Sequence, residues 1–411
     1  MAQGSPYGET AIFMSRRHPS PRAFRLAAAA VCVGALAMMA QAARAGSALD
    51  DVVLNDVCDD VAAGSALAAQ CAVFDLDSPT RSAAASGNNL GITGAQGRSK
   101  IKVRDRLEGQ QQTEVEGQSG GSAADWHVGK LGLFISGDAT LADRDATANE
   151  SGNDTTTLGL TLGADWRFSP AFIAGLAFTY SNGDTDFDAG AGDLDTQSYG
   201  GLLYASFAPN AIIYIDAYAG YAVQDYDGTR NIAFVAGGTP VAASANSDTS
   251  GDEWTFGASI AADFGLGGWT LGPHAQIDYS RTEVDAYSES GGAGFAIAFG
   301  DQTIKSLQSV LGAHASYAIS TGWGVVVPYG RLDWVHEFED DSRSVPASFV
   351  QATAVPFVVL TDEADRDFGR LSVGASALWP GGWAAFADYQ YQFAHSFLTE
   401  HKFTVGLRKE F

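Results

Sequence analysis

Lys402-Phe-Thr-Val-Gly-Leu-Arg-Lys-Glu-Phe411 is the stretch that decides the fold. Phe403, Val405, Leu407 and Phe411 fall on one side of an extended chain, and Thr404, Gly406, Arg408 and Glu410 on the other. Strict alternation of this kind predicts a strand with one apolar and one polar face. A polar chain end ordinarily frays, so a strand running to an aromatic predicts an end held in structure. The same two-residue period extends back to about residue 126. Together these features predict the closing strand of a membrane β-barrel.

Composition agrees. The 411 residues include 48 glycines, 11% are aromatic and only 18% are charged, a mixture that fits turn-rich, all-β architecture. A formal net charge of -24 excludes a nucleic-acid partner on electrostatic grounds. Arg16, Arg17, Arg22 and Arg25, the Ala-rich apolar run Leu26 to Met39, and Ala43-Arg44-Ala45 before Gly46 predict a cleaved secretory signal over residues 1–45. No later run is long enough for a membrane-spanning helix, so membrane association after export must use strands or a surface. Cys32 leaves with the signal; Cys58 and Cys71, exported together, read as a disulfide. A lone cysteine pair without a nearby histidine is a poor metal site, and neither metal nor cofactor is expected.

Residues 46–96 form a short N-terminal segment and linker, with Leu54, Val57 and Val61 at helical spacing, too small to bury a core unaided. Residues 97–124 comprise a basic run and a tether. Arg98, Lys100, Lys102, Arg104 and Arg106 crowd into an otherwise acidic chain, and Gln110 to Ala124 is rich in Gly, Gln and Ser. A solvated helix face is the usual meaning of such a run; a polar barrel lumen offers it another place.

From residue 125 to 411 the chain reads as paired strands. Leu158, Leu160, Leu162, Trp166 and Phe168 oppose Thr157, Thr161, Asp165 and Arg167, and Ile213 and Ile215 oppose Tyr214, Asp216 and Tyr218. Ile277 opposes Asp278, Leu332 and Trp334 oppose Asp333 and Glu337, and Tyr389 and Tyr391 oppose Asp388. A water-soluble sandwich also alternates, but here aromatics gather at strand ends, where membrane girdles sit. The connections discriminate further. Short turns at 168–171, 207–210, 265–268, 320–323 and 379–382 alternate with long polar loops at 141–154, 181–192, 226–251, 285–300 and 340–365. That asymmetry belongs to outer-membrane barrels, with short periplasmic turns and long outer loops. Counting strands between connections gives about twelve. The expectation is an all-β, twelve-stranded, antiparallel transmembrane barrel, with most acidic excess in its outer loops.

The chain resembles the autotransporter β-domain, the translocator of type V secretion. The resemblance rests on the basic run from Arg98 to Glu108, on Pro328-Tyr-Gly-Arg-Leu-Asp-Trp-Val-His-Glu-Phe338, and on Val405-Gly-Leu-Arg-Lys-Glu-Phe411. It implies a monomeric barrel in the outer membrane of a Gram-negative bacterium after Sec-type export. It also implies contact with outer-membrane lipid, periplasmic chaperones and the barrel-assembly machinery, with Phe411 as the assembly signal. The resemblance makes Arg98, Lys100, Lys102, Arg104 and Arg106 the basic face of a helix in the lumen. Its partners would be Asp165, Asp216, Asp278, Asp333, Glu337 and Asp388. The departure is the passenger, reduced to the short N-terminal segment. Asn88-Asn89 matches the dipeptide at which some members cleave themselves, but turn formation is the commoner use of Asn beside Gly.

No nucleophile elbow, His-Glu-x-x-His or phosphate loop is present. The barrel histidines are scattered, and Asp184, Asp186 and Asp188 read as solvated loop acids more readily than as a cation site. The expectation is therefore a non-enzymatic anchor and translocator without catalytic residues. A surface-loop adhesin and a small diffusion pore are the alternatives.

Overall fold

The computed structural model describes residues 130–411 apart from Ala148, Gly237 and Gly238. Cys58, Cys71, the basic run 98–106, and the divisions at 1–45, 46–96 and 97–124 lie outside the described residues.

Among the described residues, twelve long strands form one antiparallel sheet that closes on itself. In chain order they are β1 (Leu131–Arg144), β2 (Asn153–Ser169), β3 (Phe172–Phe187), β4 (Gly192–Phe207), β5 (Ile213–Ala236), β6 (Thr239–Ala262), β7 (Trp269–Val284), β8 (Gln302–Tyr317), β9 (Val325–Glu337), β10 (Asp367–Trp379), β11 (Trp383–Phe393) and β12 (Leu398–Glu410). Each pairs with its sequence neighbour, and β1 pairs with β12 from Gly132–Glu410 to Arg144–Leu398. Closure leaves no free edge, which the bilayer interior requires because it offers no water to unpaired backbone groups. The chain end takes part: Phe411 N–H donates to the Leu131 carbonyl at 2.9 Å.

The two faces are inverted relative to a soluble protein. Leu158 is 60% exposed while Thr157 beside it is 1% exposed. Leu176, Leu203, Leu332 and Val405 are likewise exposed, whereas Asp165, Arg331, Gln390 and Lys402 are buried. Burying polar side chains while leaving leucines bare would be unfavourable in water. It is favourable when lipid covers the outside and a polar lumen lies within.

The turns at one end are tight. Gly381 and Gly382 have φ of +89° and +75°, values that glycine adopts without steric cost. At the other end the structure departs from the sequence expectation in three ways. First, 226–251 is mostly strand: β5 and β6 continue as a hairpin well past the other strands, because Ser, Thr and Asp alternate there without losing the two-residue period. Second, the loops at 285–300 and 340–365 carry a sheet of four strands, 352–360, 344–349, 297–299 and 287–288 in order. Third, the outer links between β3 and β4 (188–191) and between β11 and β12 (394–397) are four residues each, and β5 ends at Ala236 with β6 starting at Thr239, so the alternation of short and long connections fails three times and most of 181–192 is strand.

The loop sheet has an apolar core of its own. Tyr287, Ile297, Phe299, Val345, Phe349 and Phe357 pack against Ile232 and Ala245 of the long hairpin. A fully buried ion pair stitches it down: Arg230 Nε and Nη2 donate to Glu289 at 2.8 and 2.6 Å. The backbone N–H of Ile297 donates to Glu289 Oε2 at 2.8 Å. Burial also raises the Tyr287 phenol above its ordinary range, with the Glu289 charge adding to the effect.

Candidate functional site: the lumen and its outer mouth

The inward face of every barrel strand carries polar side chains at two-residue spacing, and register decides which of them meet. One arrangement recurs four times. A donor side chain on one strand lies over a glycine of the next and reaches a carboxylate on the strand beyond. Tyr204 on β4 stands opposite Gly175 on β3, which stands opposite Asp165 on β2; the phenol donates to Asp165 Oδ2 at 2.9 Å. Tyr218, Gly257 and Asp278 repeat this on β5 to β7, with a 2.6 Å bond. Tyr329, Gly374 and Asp388 repeat it on β9 to β11, at 2.9 Å. His274, Gly312 and Asp333 form the fourth on β7 to β9, with Nε2 2.8 Å from Oδ1. In each case a β carbon on the glycine would collide with the donor ring, the carboxylate or both. The glycines therefore let rings lie flat against the wall, a device that also pins register.

The remaining lumen carboxylates are held by other neighbours. Asp165 also accepts a bidentate pair from Arg408 at 2.8 and 2.9 Å, the geometry that gives arginine its specificity for carboxylates. Asp333 lies 3.1 Å from Arg331 Nε. Glu337 accepts from Ser306, the Leu307 N–H and Gln308, and Asp216 from Ser259 at 3.2 Å. All six carboxylates singled out from the sequence are buried on the inward face. Arg331 falls on the polar side of its strand in the sequence, opposite Leu332 and Trp334, and is buried on the inward face; sequence reasoning passed over Arg370, which reaches Gln308, and Lys402, which is 2% exposed. The parity of Lys402 with Thr404 was the available signal.

The outer mouth opens into a cavity of about 590 Å³ bordered by Arg144, Arg343, Glu337, Asp362, Arg370 and His395, among others. Arg144 bridges Glu150 and Asp362, the latter at 2.9 Å. Burial pushes the Arg343 guanidinium down to about 10. The histidines do not converge. His274 and His314 lie in the lumen, paired with Asp333 and Asp263, whereas His336 pairs with Asp367 outside. Among the described residues no group of three or more His, Cys, Asp or Glu has metal-binding geometry.

Asp184 and Asp186 do not stand alone. On the outward face of β3 to β6, Asp184, Asp195, Asp227 and Asp248 sit directly opposite one another across successive strands. On β1 to β4, Asp143, Asp154, Asp186 and Asp193 form a second row. Both rows lie beyond the lipid-facing aromatics. Partial burial, and then the facing aspartates, raise the carboxyls of Asp195 and Asp227.

Residues 133–390 match the Autotransporter beta-domain family. Esterase EstA of Pseudomonas aeruginosa is 27% identical over 260 residues, which cover 62% of this chain and 39% of that relative. Lipase 1 of Photorhabdus luminescens is 26% identical over 169 residues, 40% of this chain and 25% of that relative. The chain thus spans about two fifths of the length of the esterase it matches. Among solved structures, the translocator domain of the autotransporter NalP from Neisseria meningitidis superposes with a TM-score of 0.56 at 14% identity. The superposition covers 76% of this chain and 98% of that one. These relatives correct the expectation that the protein has no enzymatic character: barrels similar to this one belong to proteins named as an esterase and a lipase. A search for catalytic motifs along a barrel cannot detect chemistry carried by another part of such proteins.

Proposed function

The chain belongs to the autotransporter β-domain family, and from that premise we propose that its barrel anchors and translocates an N-terminal passenger at the cell surface. The barrel lies in the outer membrane of a Gram-negative bacterium. Residues 97–124 pass through the lumen as a plug, with Arg98, Lys100, Lys102, Arg104 and Arg106 facing the wall carboxylates. Residues 46–96, bridged by Cys58 and Cys71, reach the outside. Periplasmic chaperones and the barrel-assembly machinery bring the chain to the membrane, with Phe411 as part of the signal. The observation that carries the plug is the lumen itself, lined with buried carboxylates at several heights, which disfavours an empty, anion-conducting channel and favours a cationic occupant.

The names Esterase EstA and Lipase 1 support an ester hydrolase as the class of passenger that this type of barrel serves. The test joins the N-terminal portion of Esterase EstA to residues 97–411 of this chain. Intact cells should then hydrolyse a short-chain ester, and the activity should fall when external protease is added. A folded barrel with no surface hydrolysis would refute the translocator reading. Planar-bilayer conductance separates the plug from a pore: deleting residues 97–112 should raise it severalfold, and an unchanged large conductance would refute the plug.

A further inference from the structure

The outward rim of the barrel is not uniformly acidic. Tyr221 on β5, Trp254 on β6, Arg281 on β7 and Lys305 on β8 stand directly opposite one another in one row. Tyr221 and Trp254 are exposed on the lipid face, with ring centroids 4.8 Å apart, and such aromatics mark the level of the lipid headgroups. The strand length gives the same height. Arg281 lies twelve residues beyond Trp269 on one strand face, and Lys305 twelve before Tyr317, its partner in that register. At roughly 3.3 Å per residue and a tilt of about 40°, that is ~30 Å, just past an apolar band about 25 Å tall.

Where the neighbouring strands present an aromatic in this row, β7 and β8 present two cations. They are the two Lys or Arg side chains on the outward face of the barrel strands at or beyond the level of the outer aromatics, among the described residues. Like charges directly opposite across a sheet are destabilising unless an anion lies between them. Arg281 engages Glu283 on its own strand, which leaves guanidinium donors over; Lys305 is exposed, and among the described residues no hydrogen bond or ion pair engages it. Around β1 to β6 the same rim carries the facing aspartates, which repel phosphate. We infer that Arg281 and Lys305 form a seat for the phosphate of a glycolipid in the outer leaflet, with Trp254 against its acyl-chain boundary. This would fix one position of the barrel's perimeter to an anionic lipid while the acidic arc stays free of one. Both side chains also border the mouth cavity, so a soluble anion is the competing occupant.

Native mass spectrometry of the full chain in detergent tests the seat, using lipid A with its phosphates and the same lipid after enzymatic dephosphorylation. The phosphorylated lipid should bind about 25-fold more tightly, at about fivefold for each cation near a membrane surface. Arg281→Gln with Lys305→Gln should abolish that preference, and Arg281→Lys with Lys305→Arg should keep it within about threefold. Heat-shifted gel mobility verifies that each variant is folded. Equal binding of the two lipids by the wild type, or an undiminished preference in the double glutamine variant, would overturn the proposal. So would displacement of the lipid by equimolar inorganic phosphate, which would assign the cations to the cavity instead.

Discussion

Gly257→Ala tests the four lumen triads most directly. Gly257 lies under the Tyr218 ring, and an added β carbon would meet that ring and the Asp278 carboxylate. The ring must swing off the wall, and the 2.6 Å bond to Asp278 is lost with it. Forcing a methyl into a packed site costs about 1–3 kcal/mol. Losing a hydrogen bond to a charged group costs about 1.5–3 kcal/mol, partly offset here because Gln276 also donates to Asp278. A loss of about 3 kcal/mol follows. Tyr218→Phe, which removes only the bond, should cost about 1.5 kcal/mol. Gly201→Ala supplies the control: that glycine has nothing within 4 Å of a new β carbon. Alanine there should be neutral or stabilising by about 0.5 kcal/mol. The assay is urea unfolding in detergent micelles followed by tryptophan fluorescence. In a Tyr218→Ala background the Gly257→Ala penalty should shrink to less than about 1 kcal/mol, since the colliding ring is gone. An equal penalty in both backgrounds would show that glycine serves strand geometry there and not the tyrosine.

Asp195→Asn removes one member of a row of facing aspartates, and should stabilise the outer end of the barrel by about 1 kcal/mol at low ionic strength. The gain should fade in 1 M salt, where screening shortens to about 3 Å; a salt-independent change would contradict an electrostatic origin. The same rows set a pH dependence. Because the folded carboxyls of Asp195 and Asp227 are raised above their ordinary value, the folded state binds more protons than the unfolded one. Stability should therefore decline as pH rises from the ordinary aspartate value of 3.8 through the raised folded range, then level off. Asp195→Asn should flatten the decline, and stability rising across that window would refute the assignment. Arg230→Met strands the Glu289 carboxylate in the core of the loop sheet. Limited proteolysis should then cut within 285–300 or 340–365 while the barrel keeps its heat-shifted mobility, consistent with a local loss of about 3–5 kcal/mol.

How much of this was legible in advance varies by element. The faces of β2, β5, β9 and β12 were readable because a strand's period is a property of neighbouring residues alone. Leu158 and Thr157 point opposite ways whatever the rest of the chain does. The periplasmic turns were readable through Gly and Pro, whose backbone limits are local too. The outer loops misled because 285–300 is rich in Gly, and 340–365 begins and ends in acidic residues that hide the apolar run between them; Phe295, Ile297, Val345 and Phe357 nonetheless converge. That core joins two loops far apart in sequence; Val345, Ala347 and Phe349 alternate with Ser344, Pro346 and Ser348, but alternation within one loop does not say what its apolar side meets.

What the chain by itself determined is therefore which way each barrel residue points, and with that the lipid-facing belt, the polar lumen and the outer-membrane address. What only the tertiary structure decided is which residues share a row. Tyr218, Gly257 and Asp278 lie on three strands, as do Asp184, Asp195 and Asp227, and Arg281 faces Lys305 across a loop of seventeen residues, 285–301. Alternation fixes a side chain's face but is blind to a slide of two residues along the neighbouring strand, which leaves every face unchanged and moves every partner. Register is settled by closure of the whole sheet, and the lumen triads, the acidic rows and the cationic step at the rim exist only once it is set.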